Sequence, residues 1–238
     1  MAGAEDPRLG KIDLVLVSHM HGDHVGDKRI ARTNAGSCEK PEISINTLPH
    51  TNSTEIALAH KAVIVTGSEM PKFFAAKLKA LGGDPKASQL VRFGGSRTIG
   101  GKLGEMLDAA GLTAYAGPPT GYVVTFSNGL SVYLSADTGI TAEQESVVRG
   151  HYGVKLAVIN IGDAFTTGSF EAAYVINQLV RPASVIASHA NEAATRKGKP
   201  IPGTKTASFV DAVNVPAHLP LSGRTMAFSA AGICVSGC

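Results

Sequence analysis

The sequence has 238 residues, of which 44% are hydrophobic and 17% charged, and this composition excludes an intrinsically disordered chain. The formal net charge is only +3, and basic residues cluster only at Arg196, Lys197 and Lys199, so no nucleic-acid partner is expected. Apolar runs stay well short of the roughly 18 residues that span a bilayer, and the first residues lack a signal-peptide pattern, so the sequence as written predicts a soluble, cytoplasmic protein without membrane contact.

Strands and helices alternate along the chain. Short β-branched runs predict buried strands at 12–18 and 62–66. Helical segments are expected at 27–34, 54–61 and 71–83, the last punctuated by an early proline and a closing glycine. Later elements, in chain order, are a hairpin at 121–137, a helix at 141–152, a strand at 155–161, a helix at 169–180, a strand at 183–188, a helix at 204–213 and a strand at 225–230. This order predicts an α/β fold in which helices cover sheets, in a single domain of residues 1–238.

The hairpin has the clearest local signal, because the Asn128-Gly129 pair lies between two alternating runs. Both residues of such a pair tolerate positive φ values, which a tight two-residue turn requires. We therefore expect a tight turn at these two residues.

A cluster of potential metal ligands follows the first strand, in the stretch LVSHMHGDHVGD. His19 and His21 are two residues apart and can share one ion, while Asp23 and His24 can address a second ion after the loop turns. Two ions a few ångströms apart are the arrangement that two-metal hydrolases use. The cluster therefore predicts a hydrolytic metal site.

Two further candidate ligands follow later strands. Asp137 ends the second hairpin strand, and His189 directly follows the strand at 183–188. Loops at one edge of a sheet converge, so both side chains are candidates for the same site. The alternatives are a turn or helix-capping role for Asp137 and a packed loop histidine for His189.

These residues resemble the metallo-β-lactamase superfamily, whose fold is an αββα sandwich of two sheets. The resemblance rests on HMHGDH, on the hairpin strand that ends in SADTG and on the later strand that ends in SHANE, and it extends from residue 12 to about 230. The stretch 160–189 is most similar to the ascorbate-6-phosphate lactonase-like hydrolases. By resemblance, His19 and His21 bind a first metal, Asp23, His24 and His189 bind a second, and Asp137 bridges both.

The resemblance implies one or two Zn²⁺ ions, with Mn²⁺ or Fe as alternatives, and a small-molecule substrate. A metal-bound hydroxide would attack a lactone or ester carbonyl, with Asp23 and Asp137 taking part in catalysis and Asp137 orienting the nucleophile. β-Lactamase and phosphodiesterase activity on the same fold are the alternatives. The further candidates for supporting the ligands or contacting substrate are Asp163, Thr166, Thr167, His50 and His218.

The sequence departs from the family pattern in two places. Residues 90–122 contain no histidine, although family members carry a further ligand of the first metal there, and His50 is a candidate substitute. We therefore expect unequal occupancy, with the stronger site formed by Asp23, His24, Asp137 and His189. A catalytically impaired metal-binding or scaffold protein is the alternative.

The second departure is at the front, where only 18 residues precede His19. The sandwich is therefore expected to lack part of its N-terminal β-segment. An uncovered strand edge is a liability, so we expect a homo-oligomer in which another chain covers it.

Three cysteines leave two alternatives open. A disulfide from Cys38 to Cys234 or Cys238 would indicate a periplasmic or secreted protein whose N-terminal segment has been removed. Three free thiols would fit the cytoplasm.

Overall fold

The computed structural model describes residues 4, 7–19, 22–25, 51–67, 70–91, 119–163 and 166–238. The chain divides into two compact units, Met1–Pro118 (unit 1) and Pro119–Cys238 (unit 2). The single domain over 1–238 stays a prediction. His21, Cys38, His50 and the helix predicted at 27–34 lie outside the described residues. In the described ranges, no helix has the length and apolar character needed to cross a bilayer.

Unit 1 contains a parallel sheet of three strands, β1 (Leu14–Val17), β2 (Val63–Thr66) and β3 (Ser88–Leu90), in the order β1-β2-β3. The predicted strands at 12–18 and 62–66 are confirmed as β1 and β2. β3 was not predicted, because three residues are too few to show an alternating pattern. Within the described part of the chain β1 pairs only with β2, and an oligomer that covers this edge stays a prediction.

The helices of unit 1 are α1 (Gly22–Val25), α2 (Asn52–His60) and α3 (Met70–Ala80), with single 3₁₀ turns at Pro7–Leu9 and Pro85–Ala87. Thr51 caps α2, because its hydroxyl accepts the Thr54 N–H at 3.1 Å while the Thr54 hydroxyl accepts the Thr51 N–H. The apolar faces bury a small core of Val17, Val25, Ala57, Ala62, Ile64, Met70, Phe74 and Leu78.

Unit 2 is built on a five-stranded sheet. Its strands are β4 (Tyr122–Thr125), β5 (Ser131–Leu134), β6 (Leu156–Asn160), β7 (Ser184–Ser188) and β10 (Ala217–His218), in the spatial order β10-β7-β6-β5-β4. β4 and β5 form the predicted antiparallel hairpin, whereas β5, β6, β7 and β10 run parallel to one another. The carboxyl ends of β5, β6 and β7 therefore share one edge of the sheet.

The hairpin turn differs from the predicted one. Gly129 has a positive φ of 88°, but Asn128 does not share it. The Asn128 side chain instead accepts the Leu130 N–H at 3.1 Å, and the Phe126 N–H donates to Leu130 O at 2.8 Å. The turn is thus longer than two residues, and asparagine acts through its side chain.

The helices of unit 2 are α4 (Ser169–Tyr174) and α5 (Lys205–Ala212), with π-helical segments at Gln144–Arg149 and Val175–Val180. The predicted helix at 169–180 is confirmed as helical, although its hydrogen bonding changes from α to π at Val175. Its buried face joins the sheet in one core with Tyr133, Ala157, Ile159, Ile161, Ile176, Val180, Val185, Ala187 and Phe209 among its members. Helices and sheets in both units confirm the predicted α/β class.

Two short antiparallel pairs complete unit 2, β8 (Thr195–Arg196) with β9 (Lys199–Pro200) and β11 (Ala227–Phe228) with β12 (Cys234–Ser236). Cys234 and Cys238 form a disulfide. The predicted pairing with Cys38 and the prediction of three free thiols are therefore both wrong. Only four positions separate the two cysteines, and their Cα atoms are 6.4 Å apart, within the reach of a disulfide.

Candidate metal centre

Unit 1 places His19 two residues beyond the end of β1. The side chain is buried, with 4% of the residue exposed, and the Ser18 hydroxyl lies 2.8 Å from its Nδ1. An Nδ1–H that donates to Ser18 leaves the lone pair on Nε2, which is the form of imidazole that binds a metal. The contact with Ser18 is thus compatible with coordination of a metal through Nε2.

His24 lies on the short helix α1, which is anchored through its neighbour Val25. Val25 is fully buried, and the Ser53 hydroxyl donates to its carbonyl oxygen at 2.9 Å. The rings of His24 and His19 have centroids 4.2 Å apart, and their ligand nitrogens lie within 4.8 Å. Unit 1 thus brings two predicted ligands together as the His19–His24 pair. Asp23 also lies in α1, but its side chain is outside the described part of the structure.

Unit 2 brings together the two ligands predicted from strand ends. Asp137 follows β5 and His189 follows β7, at the shared carboxyl edge of the sheet. Asp137 is only 8% exposed, and its Oδ1 lies 3.7 Å from Nε2 of His189. We call these residues the Asp137–His189 pair.

The spacing of the Asp137–His189 pair suits a shared metal ion. A hydrogen bond between nitrogen and oxygen is usually about 2.7–3.2 Å long, so 3.7 Å is too long for a good one. Metal ions bind such atoms at about 2.0–2.2 Å, which puts two ligands of a tetrahedral ion about 3.3–3.6 Å apart. Imidazole nitrogen and carboxylate oxygen are also ligands that Zn²⁺, Mn²⁺ and Fe²⁺ accept. The donor atoms therefore fit the metal that the motif predicts.

Strained backbone marks the same edge of the sheet. Ala136, Asp163 and His189 have φ values of 50°, 63° and 51°, in the left-handed region. At least one such residue follows each of β5, β6 and β7. Left-handed conformations of residues with a Cβ cost energy and concentrate at functional sites, where surrounding contacts hold them.

Sequence reasoning missed Asn160, which ends β6 between β5 and β7, the strands that lead into the predicted ligands Asp137 and His189. It is 1% exposed and hydrogen bonds to the turn that carries Asp137, on one side, and to Thr167, on the other. The available sequence signal was a polar residue at the end of an apolar strand. The signal was not enough to predict the role of Asn160, because the turn that it contacts lies far away in sequence.

Gly162 was also missed, and it packs directly against His189. A Cβ at this position would lie 2.6 Å from His189 O, 2.9 Å from His189 Nδ1 and 2.9 Å from Asn191 Nδ2. Lys205 Nζ donates to the Gly162 carbonyl oxygen at 2.7 Å, which holds this segment from the other side. The absence of a side chain at Gly162 is therefore what leaves room for the imidazole of His189.

The remaining candidate residues have mixed environments. Asp163 is exposed, and its N–H donates to Thr167 O at 3.1 Å. Thr167 is buried and bonds to Asn160, while the hydroxyl of the half-buried Thr166 makes a long contact of 3.4 Å with Thr167 O. His218 packs against the Phe228 ring, and burial lowers its pKa.

A groove of about 430 Å³ lies on the hairpin that follows His189. It is lined by Arg196, Lys197, Lys199, Pro200, Ile201 and Pro202. The lining contains none of the predicted ligands, so the groove is separate from the Asp137–His189 pair.

Comparisons with known proteins agree with the motifs. The family model of the Beta-lactamase superfamily domain matches residues 2–190. A UPF0173 metal-dependent hydrolase of Opitutus terrae is 30% identical over 193 residues, which cover 79% of this chain and 71% of that protein. A UPF0173 metal-dependent hydrolase of Cupriavidus necator is 28% identical over 199 residues, which cover 81% of this chain and 62% of that protein. The chain therefore spans less than two thirds of the Cupriavidus protein.

The fold is also similar to a solved structure. Igni18, a metallo hydrolase from the archaeon Ignicoccus hospitalis, matches with a TM-score of 0.50 and 20% identity, over 91% of this chain and 79% of its own. The family match and this likeness of fold together confirm the predicted α/β fold of the metallo-β-lactamase type. The family match covers most of the sequence and leads to one conclusion. The chain belongs to the beta-lactamase superfamily and, within it, to the UPF0173 metal-dependent hydrolases.

Proposed function

We propose that this protein is a metal-dependent hydrolase that cleaves a lactone or ester of a small molecule. The observation that carries the proposal is the Asp137–His189 pair, a buried carboxylate 3.7 Å from an imidazole at the carboxyl edge of the sheet. The names of the Opitutus and Cupriavidus relatives support metal dependence and hydrolysis. The lactone or ester substrate rests on the resemblance to the ascorbate-6-phosphate lactonase-like hydrolases.

His19, His21, Asp23, His24, Asp137 and His189 are the proposed metal ligands. Asp137 is the key residue, because a buried carboxylate attracts a cation more strongly where little water competes. His189 presents Nε2 towards Asp137, so that nitrogen is its proposed ligand atom. The metal, when bound, supplies Lewis-acid chemistry that activates water near neutral pH and polarises the carbonyl. Asp137 would also orient the attacking water.

Unequal occupancy is part of the proposal. The first metal keeps only His19 and His21 as ligands, whereas the second has Asp23, His24, Asp137 and His189. We expect one Zn²⁺ to survive dialysis against a mild chelator and a second to be lost. Two tightly held ions per chain would contradict unequal occupancy. The proposed hydrolytic activity would then be tested separately, by the turnover measurements described next.

The experiment compares the wild type with Asp137→Asn and a matched control, Asp211→Asn, whose side chain is exposed. Each protein is reloaded with Zn²⁺, Mn²⁺ or Fe²⁺ and offered a lactone, an aryl ester, a phosphodiester and a chromogenic β-lactam. We expect metal-dependent turnover of the lactone or ester in the wild type and control. In Asp137→Asn the metal affinity should fall by more than the roughly 10- to 100-fold that loss of a supporting partner costs.

Three outcomes would count against the proposal. Turnover of only the β-lactam or only the phosphodiester would replace the proposed lactone or ester with that class of substrate. Metal binding without turnover of any compound would favour the alternative of a catalytically impaired metal-binding or scaffold protein. Equal metal affinity in Asp137→Asn and the wild type would remove Asp137 from the site.

A further inference from the structure

Asn160 lies where it can position Asp137 of the Asp137–His189 pair. It ends β6, which lies between β5 and β7 in the sheet, and those strands lead into Asp137 and His189. Only 1% of the residue is exposed. A buried amide must satisfy its hydrogen bonds within the protein. The hydrogen-bond partners of Asn160 therefore show which segments it stabilises.

The amide nitrogen of Asn160 donates hydrogen bonds to the backbone on both sides of Asp137. Nδ2 donates to Ala136 O at 2.5 Å and to Thr138 O at 3.0 Å. The Asn160 backbone N–H donates to the Ser135 hydroxyl at 3.0 Å. The Ser135 hydroxyl in turn donates to Ala136 O at 2.9 Å. Residues 135, 136 and 138, on both sides of Asp137, are thus hydrogen bonded to Asn160.

The other end of the amide fixes its orientation. Oδ1 accepts the Thr167 N–H at 2.9 Å, and the Thr167 hydroxyl lies 2.5 Å from the same oxygen. A backbone N–H requires an acceptor and the two carbonyl groups require a donor, so the amide cannot be rotated by half a turn. Thr167 therefore directs the Asn160 donors at the Asp137 turn.

We propose that Asn160 is a positioning residue that sets the metal affinity of the Asp137–His189 pair, an inference that rests on the proposed function. Ala136 is held in the left-handed region, with φ of 50°, and its carbonyl oxygen is the closest acceptor of the Asn160 Nδ2 group. Without the amide the turn loses the contacts that offset this strain, and Asp137 can leave its binding orientation. Loss of such a supporting contact typically lowers metal affinity about 10- to 100-fold.

The test compares Asn160→Leu with Asn177→Leu in the full chain. Leucine has a similar shape but can neither donate nor accept a hydrogen bond. Asn177 is a matched control, because its Nδ2 donates to Ala212 O at 2.9 Å and its Oδ1 accepts the Asn214 N–H at 2.8 Å, in the loop after α5. Zn²⁺ affinity is measured by competition with a chromogenic chelator. The visible absorption of the Co²⁺-loaded protein reports the coordination geometry.

We expect Asn160→Leu to lose Zn²⁺ affinity about 10- to 100-fold and to show altered Co²⁺ absorption bands. Asn177→Leu, which loses stability for the same reason, should keep both. An Asn160→Leu protein that folds and binds Zn²⁺ like the wild type would overturn the inference alone. A wild-type chain that binds none of Zn²⁺, Mn²⁺, Fe²⁺ and Co²⁺ would overturn the proposed function and this inference with it.

A second variant decides the case if Asn160→Leu does not fold. Thr167→Val keeps the shape and the backbone N–H of Thr167 but removes the hydroxyl that faces the Asn160 amide. It should lower Zn²⁺ affinity in the same direction, by about 3- to 10-fold, as a milder version of the same change. Unchanged Zn²⁺ affinity and unchanged Co²⁺ bands in Thr167→Val would overturn the inference.

Discussion

Gly162→Ala is the sharpest steric test of the Asp137–His189 pair. The added Cβ would lie 2.6 Å from His189 O and 2.9 Å from its Nδ1. Atoms in ordinary contact are about 3.5 Å apart, so the carbonyl must retreat by about 0.9 Å and the ring by about 0.6 Å. The Gly162 segment cannot easily yield instead, because Lys205 Nζ holds its carbonyl oxygen at 2.7 Å. His189 is therefore expected to move.

The displacement should lower both stability and metal binding. Forcing extra atoms into a packed region typically costs about 1–3 kcal/mol, which urea unfolding of the metal-free chain can measure. A misplacement of about 1 Å at a reacting group costs about 100-fold in rate, so we expect metal affinity and turnover to fall by at least about 10-fold. Isothermal titration with Zn²⁺ gives the affinity, and hydrolysis of the preferred lactone or ester gives the rate.

Gly139→Ala is the control for this substitution. Gly139 is exposed at the same edge of the sheet, and a Cβ there would meet no atom within 4 Å. It should keep the stability and Zn²⁺ affinity of the wild type. The reasoning would be refuted if Gly162→Ala bound Zn²⁺ as tightly as Gly139→Ala, because His189 would then not be a ligand whose position matters.

Two further predictions concern pH. Burial alone would raise the pKa of Glu192, but hydrogen bonds from Thr206 and Lys205 lower it below its ordinary 4.5, so this carboxylate stabilises the fold above that pH and the effect disappears as pH falls. Near neutral pH, Glu192→Gln should lower the free energy of unfolding, measured with urea, by about 1 kcal/mol, the usual contribution of a helix cap. In strong acid it should not change this free energy, and a loss that does not depend on pH would contradict the prediction. Burial lowers the pKa of His218, so the unfolded chain takes up its proton first as pH falls below the ordinary 6.5. His218→Phe, which keeps a ring beside Phe228, should therefore lose less stability than the wild type between about pH 7.5 and pH 5.5 in the same assay, and an equal loss would contradict it.

The sequence predicts most of the α/β framework because each strand and helix has its own local pattern. β4 and β5 are recognisable from their alternating polar and apolar residues. β1, β2, β6 and β7 are recognisable because each lies in a short, continuous apolar run. β3 and β10 are too short for that, and they exist because a neighbouring strand offers them hydrogen bonds. The change from α to π bonding at Val175 has no sequence signal that we recognise.

The site is less predictable than the fold. The motif HMHGDH is recognisable because four potential metal ligands fall within six residues. Asp137 and His189 are predicted from the rule that parallel strands end at one edge of the sheet. The residues that hold them have ordinary local patterns. Asn160 lies 23 residues after Asp137 in sequence, and Gly162 reads as a loop glycine until His189 is known to lie against it.

The end of β6 organises both members of the Asp137–His189 pair, through two residues that act by different physical means. Asn160 works by hydrogen bonding and holds the turn of Asp137, whereas Gly162 works by leaving space for the ring of His189. Both predicted ligands are thereby held in position by the protein itself, and the left-handed residues at 136 and 189 show that this arrangement is maintained against local backbone preference. Ligands held in this way lose little conformational freedom on binding an ion. This segment, and not only the histidine-rich motif, should therefore determine how tightly the protein holds its metal.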